Sequence, residues 1–210
     1  MALRLRLIVT AALALALLLL LLPGSATAHK PIIEGRDIGG YGDAAYLPDP
    51  DVSWAIYGFV EREGDVDYCS FDVAGGLNLS TNVLVPVKGV YREFRPSYAI
   101  IGPGIDASDP VPFEVPAGMG ALVVDMPADS GEFYEPFGGV SYWQSPRNYT
   151  VLSKPGRYYI AVFDRDRGRG DYVLAVGERE SFGLLELPRV LWNTLRIRLG
   201  AWDHSARLSK

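Results

Sequence analysis

Apolar and polar residues alternate with a period of two along most of this chain, and that period constrains the fold more than any other feature. In Asp65–Val73, Val66, Tyr68, Ser70 and Asp72 face one way, while Asp67, Cys69, Phe71 and Val73 face the other. Trp54–Val60 sets Ala55, Tyr57 and Phe59 against Trp54, Ile56 and either Gly58 or Val60, which predicts a strand covered on both faces. The Glu61–Gly64 turn makes these two strands a hairpin. More short strands are predicted at Asn82–Val87, Ser97–Ile101, Ala121–Met126, Ser141–Trp143, Tyr149–Leu152, Arg157–Phe163 and Asp171–Val176. Pro86 implies that the first of these lies at a sheet edge. Gly- and Pro-rich turns separate the strands, and no internal repeat is present. The expected architecture is all-β: an antiparallel, jelly-roll-like β-sandwich.

The two ends read differently. Arg4 and Arg6 precede an uncharged run, Leu7–Leu22, which Pro23-Gly24 breaks before the small residues Ala26-Thr27-Ala28. This is the pattern of a secretory signal peptide spanning residues 1–28, with an uncleaved anchor helix as the alternative. Cleavage after Ala28 leaves His29 first and places the chain outside the cytoplasm, secreted or periplasmic. Residues 29–52 lack a sustained period and predict an extended arm lying over the domain. Residues 53–178 form the sandwich, and 179–210 a C-terminal helix and tail. In that tail Leu184, Leu187, Leu191, Leu195 and Leu199 recur at helical spacing, broadened by Trp192 and Ile197 and flanked by Arg189, Arg196 and Arg198. The stripe implies a helix that packs on the sandwich or one that makes peripheral contact with a membrane or partner.

Charge and cysteine narrow the function. The net charge is −5, and losing Arg4 and Arg6 makes it −7, which argues against nucleic acid and against anionic lipid as main partners. Cys69 is the only cysteine, so an internal disulfide is impossible, and its position on an apolar face reads as a small buried hydrophobe.

Three motifs carry a family resemblance. GDVDYCSFDVAGG (64–76) is similar to the acidic opening strand of bacterial pre-peptidase C-terminal domains. SYAIIGPG (97–104) sits where that family has its second landmark strand. KPGRYYIAVFDRDRGRGDYVLAV (154–176) resembles its closing pair. The resemblance covers roughly Ser53 to Gly177. It implies a jelly-roll-like sandwich on secreted bacterial proteins, usually non-catalytic; some relatives bind protein or polysaccharide surfaces, and some hold calcium near the opening strand. This chain departs from the pattern in having no attached protease domain, a long insertion at about 106–149 and the C-terminal helix.

Four groups of residues are candidates for chemistry. Phe133, Tyr134, Phe137, Tyr142 and Trp143 form the densest aromatic cluster, and such rings on a loop stack against sugars or partner proteins unless the insertion folds back and buries them. Asp49, Asp51, Asp65 and Asp67 are hard oxygen donors of the kind calcium needs, or ordinary turn residues. A mature N-terminal His29 with His204 offers nitrogen ligands for copper. Asp164, Asp166 and Asp171 alternate with Arg165, Arg167 and Arg169, so mutual neutralisation is expected there. Arg95 is expected to pin the insertion through Glu114 or Glu135. Catalysis has little support: two histidines sit at opposite ends, no nucleophile elbow or zinc spacing occurs, and Glu132 with Glu135 is only a weak glycosidase pair. The sequence therefore implies a secreted, non-catalytic binding or accessory module for an extracellular polysaccharide, cell-envelope or protein surface. The alternatives are a metal-binding protein, holding calcium or copper, and then a hydrolase.

Overall fold

The computed structural model describes residues 29–136, 138–181, 183 and 186–208. The leader, Phe137 and Leu184 lie outside the described residues. Two sheets face each other. The first runs β1 (Lys30–Ile33), β3 (Trp54–Val60), β12 (Gly170–Val176), β5 (Leu77–Pro86), β9 (Val140–Gln144) and β8 (Gly131–Glu135), with β10 (Asn148–Leu152) also paired to β5. The second runs β2 (Ala45–Tyr46), β4 (Val66–Val73), β11 (Gly156–Phe163), β6 (Ser97–Gly102) and β7 (Gly120–Val124). The chain is thus an all-β sandwich with a short C-terminal helix, as its period predicts.

Alternation explains the layering. Ile56, Cys69, Phe71, Val83, Ile100, Ile160 and Leu174 point between the sheets and form the main core. Cys69 is fully enclosed, and burial pushes its thiol up to about 12. The opposite set of each strand is also covered. Tyr68, Ala99, Ala161 and Phe163, on the outside of the second sheet, lie under Val111, Phe113, Val115 and Met119 of the insertion. Ala55, Tyr57, Leu84 and Val173, on the outside of the first sheet, lie under Ile197 and Trp202. Two glycines let large rings cross the core: a Cβ on Gly58 would lie 2.3 Å from the Tyr172 hydroxyl, and one on Gly102 would lie 2.0 Å from the Tyr158 ring.

Four expectations need correction. The arm does more than lie over the domain: β1 pairs in parallel with β3, and β2 in parallel with β4, so both sheets gain a parallel edge strand. β5 starts five residues before the predicted strand and is central. Pro86 is its last residue, beyond the point where the ladder with β12 ends at Leu84, so no partner there needs the missing N–H. The insertion divides in two, its first part folding over the second sheet and β8–β9 extending the first. Leu191, Leu195 and Leu199, finally, do not pack on the described residues. In α1 (Leu187–Arg198) the inner face is taken by Val190, Asn193 and Ile197, with Asn193 Nδ2 donating to the Pro31 carbonyl at 3.1 Å. A second short helix, α2 (Ser205–Leu208), ends the described chain.

Candidate functional site

The outer face of the first sheet carries a cleft of about 220 Å³ between β1, the β8–β9 hairpin and the centre of the sheet. Its floor forms because β5 changes partner. β10 pairs with β5 as far as Thr81, and β9 takes over at Leu84. Asn82 lies in the gap, opposite Ala175, and points outward like Leu84. It is 1% exposed, and neither atom of its amide has a hydrogen-bond partner. Beside it the Tyr142 hydroxyl is equally buried, with the Tyr57 hydroxyl as its near neighbour. Burial raises the Tyr142 and Tyr57 hydroxyls well above the ordinary phenol range, with the Glu135 charge adding to both, so each remains a neutral donor.

The walls are polar and half-aromatic. Phe133 and Glu135 alternate onto the same face of β8, and Phe133 stands directly across from Tyr142. Glu135 Oε2 accepts from Gly138 N at 2.5 Å. His29 closes one end with its Nδ1 2.5 Å from Ser53 Oγ; burial, helped by the Arg147 charge, pulls its imidazole down to about 4, so it is neutral. Arg147 is held in place by Ser80 at 3.1 Å and Glu178 at 3.0 Å. Such a surface offers donors and acceptors in several directions around one ring-sized space, which suits a neutral molecule dense in hydroxyls.

The aromatic cluster is only partly a platform. Because β8 and β9 form a hairpin rather than a loop, its rings divide between two faces. Phe133 and Tyr142 belong to the cleft, Tyr142 wholly buried. Tyr134 lies on the other face and is exposed, and Trp143 packs against the main core with the Arg95 guanidinium 4.9 Å above its ring. Arg95 thus pins the hairpin through that ring rather than through Glu114 or Glu135. Glu132 and Glu135 point to opposite faces of β8, as an odd spacing on a strand requires. The sequence does not mark Asn82 as a site residue. Its only sequence signal is an amide between β-branched and aliphatic neighbours, in Ser-Thr-Asn-Val-Leu.

The four aspartates do not converge. Asp49 and Asp51, before β3, both bind Arg179, at 2.5 and 2.7 Å. Asp65 lies beyond the other end of β3, accepting from Glu61 N at 2.8 Å and facing Arg62 Nη2 at 3.1 Å. Asp67 points into the sandwich, 1% exposed, with the Tyr172 hydroxyl as its neighbour and no close hydrogen bond among the described residues. Its companions come from the arm: Glu34, Asp37 and Asp67 each bring an oxygen within 4.8 Å of the others. Burial first, then the Glu34 charge, drives Asp67 up to about 8, against the opposing contact of the Tyr172 hydroxyl. Burial likewise drives Glu34 up to about 7, against the opposing hydrogen bond from Phe59 N, with Asp37, Glu61 and Asp65 adding to the rise.

The two histidines also stay apart. His29 stands beside Ser53, whereas His204 stacks on Phe59 at 4.4 Å, so about 20 Å of strand separates them. Asp171, at the start of β12, is buried. It accepts from the Tyr91 hydroxyl at 2.5 Å and pairs with His204 at 2.8 Å, not with the neighbouring arginines. Asp164 caps its own loop through Asp166 N at 2.7 Å, while Arg165 reaches Asp125 at 2.8 Å. The expected mutual neutralisation is therefore replaced by buried and longer-range partners.

No family model matches the chain. No curated protein matches it either. Among solved structures it is similar to the pre-peptidase C-terminal domain of collagenase from Bacillus anthracis, at 19% identity and a TM-score of 0.36, over 63% of this chain and 93% of that domain.

Proposed function

We propose that the chain is a non-catalytic binding module and that the cleft on its first sheet takes a polyhydroxylated ligand, a terminal or side-chain sugar of an extracellular polysaccharide. One observation carries the reading: the amide of Asn82, buried on the cleft floor near the Tyr142 hydroxyl, has no partner among the described residues. An unmatched buried polar group costs roughly 1–3 kcal/mol, so an amide left unmatched on a cleft floor favours a ligand that pairs with it. Phe133 supplies an apolar wall for a ring face, and Glu135 and Arg147 supply charged hydrogen-bonding ends. At about 220 Å³ the cleft lies below the roughly 300–1,000 Å³ of drug-sized sites, so it suits one ring rather than a long oligomer. Migration of the purified protein through gels containing different polysaccharides tests this. Retardation by at least one neutral polysaccharide, abolished in Asn82→Leu, is the expected outcome; identical mobility of the two proteins in every gel removes the proposal.

A second reading rests on a different observation, the buried carboxylate of Asp67 beside Glu34 and Asp37. Three carboxylates in one place fit a hard divalent cation, with calcium preferred because its geometry is permissive. Here calcium would tie the arm to β4 and stabilise the module rather than take part in binding. A melting temperature unchanged by calcium or chelator removes this reading.

A further inference from the structure

The outward face of α1 has no use in the fold. Pro188, Leu191, Trp192, Leu195 and Leu199 line one side of the helix, and Leu191, Trp192, Leu195 and Leu199 are 65, 62, 47 and 75% exposed. The inner side is already satisfied by Val190, Asn193 and Ile197. A contiguous apolar patch of this kind on a soluble surface marks a contact site. At 3.6 residues per turn, Arg189 and Arg196 fall along one border of the stripe and Arg198 along the other. The helix holds no acidic residue, although the chain as a whole carries a net charge of −5.

We infer that this face docks on an anionic lipid surface, with α1 lying in the plane of the interface. The charge distribution selects that occupant. Two copies meeting through the same patch would bring arginines against arginines. An anionic bilayer instead meets apolar side chains with its acyl boundary and the bordering guanidinium groups with its headgroups, where arginine stems reach easily. The acidic remainder of the molecule is repelled by the same surface, which orients the helix towards it. Trp192 sits at the edge of the stripe beside Arg189 and Arg196, and an indole prefers the headgroup level. Pro31 and Ile197 fasten α1 to the sandwich from the other side, so docking needs no unfolding of the module. No described helix is long and apolar enough to cross a bilayer. Contact is therefore made on the surface of the bilayer. The inference is independent of the cleft.

The test uses the full chain with vesicles of phosphatidylcholine alone or with a minority of phosphatidylglycerol. The protein should sediment with the anionic vesicles. Leu191→Ser with Leu195→Ser should cut that binding about tenfold or more, and Arg189→Glu with Arg196→Glu should weaken it in a salt-dependent way. Brominated lipid should quench part of the tryptophan emission, and that part should disappear in Trp192→Phe, a conservative change whose readout is unaffected by any other membrane-binding segment. Quenching that is the same in Trp192→Phe overturns the inference. So does equal binding to neutral vesicles, or a dimer that the leucine substitutions disperse without any vesicle binding.

Discussion

The imidazole of His204 and the carboxylate of Asp171 lie 2.8 Å apart, although 33 residues separate them, and Asp171 is wholly buried at the start of β12. The same carboxylate accepts from His204 N at 2.8 Å and from the Tyr91 hydroxyl at 2.5 Å. Nearby, Lys88 pairs with Asp203 and donates to Ser205 at 3.1 Å. This cluster fastens the C-terminal segment behind α1 to the sandwich. His204→Ala removes a hydrogen bond to a buried charge and should lower stability by about 1.5–3 kcal/mol. It should also release the tail before the core. Limited trypsin digestion at Arg196 and Arg198 should accelerate more than global unfolding does; unchanged cleavage would mean that Trp202 and Ile197 alone hold the segment.

Asn82 separates function from stability in a way that a structural residue cannot. Its amide is enclosed with no partner, so replacing it by leucine removes a desolvation cost and adds apolar contact with Leu84 and Ala175. Asn82→Leu should therefore raise stability by about 1–3 kcal/mol while removing polysaccharide retention. Thermal unfolding and affinity electrophoresis on the same sample give both numbers. A loss of stability would show that the amide has a structural partner and would take the cleft out of consideration.

Period two was enough to find the sandwich, because strands buried on both faces still alternate in what they bury. It also located β3, β4, β6, β11 and β12 to within a residue or two. Pairing partners were another matter. β1 and β2 are too short to show a period, so their parallel addition to β3 and β4 depends on edges supplied by residues far along the chain. Pro86 argued for an edge from local chemistry, and the actual sheet simply ends one of its ladders before reaching it. Within the aromatic insertion the rings were legible but not their sides, since assigning sides requires knowing that β8 and β9 are strands. Asp67 is legible as a candidate oxygen donor; its neighbours Glu34 and Asp37 come from the arm, which has no period to fix its path.

The pairing of Gly58 with Tyr172 is direct across β3 and β12, and the tyrosine ring lies over the glycine. Any side chain at position 58 must displace a ring that is fully enclosed in the core. Gly58→Ala should cost about 1–3 kcal/mol through overpacking, and Gly58→Val more. If Tyr172→Leu is added, much of the cost of Gly58→Ala should disappear, because the colliding atoms are gone. Denaturant unfolding of the two single variants and the double variant measures the coupling, and simple additivity would place the strain elsewhere.

Asp67 makes stability depend on pH with a definite sign. Its folded pKa, about 8, and that of Glu34, about 7, both exceed those of the unfolded chain. The folded protein therefore holds more protons than the unfolded one between about pH 4 and pH 8, and the slope of unfolding free energy with pH is negative there. In chelator, stability from this pair should be fully present below about pH 4 and should fall as pH rises through 7 to 8. Calcium binds the ionised carboxylates, so a saturating amount should raise the melting temperature most at the alkaline end and flatten the decline. Asp67→Asn keeps the volume but carries no charge; it should flatten the decline without calcium and abolish the calcium response. Melting curves from pH 4 to pH 9, in calcium and in chelator, test both. A wild-type melting temperature that does not fall in chelator would mean that Asp67 and Glu34 ionise freely, and the cluster would then be neither strained nor a cation site.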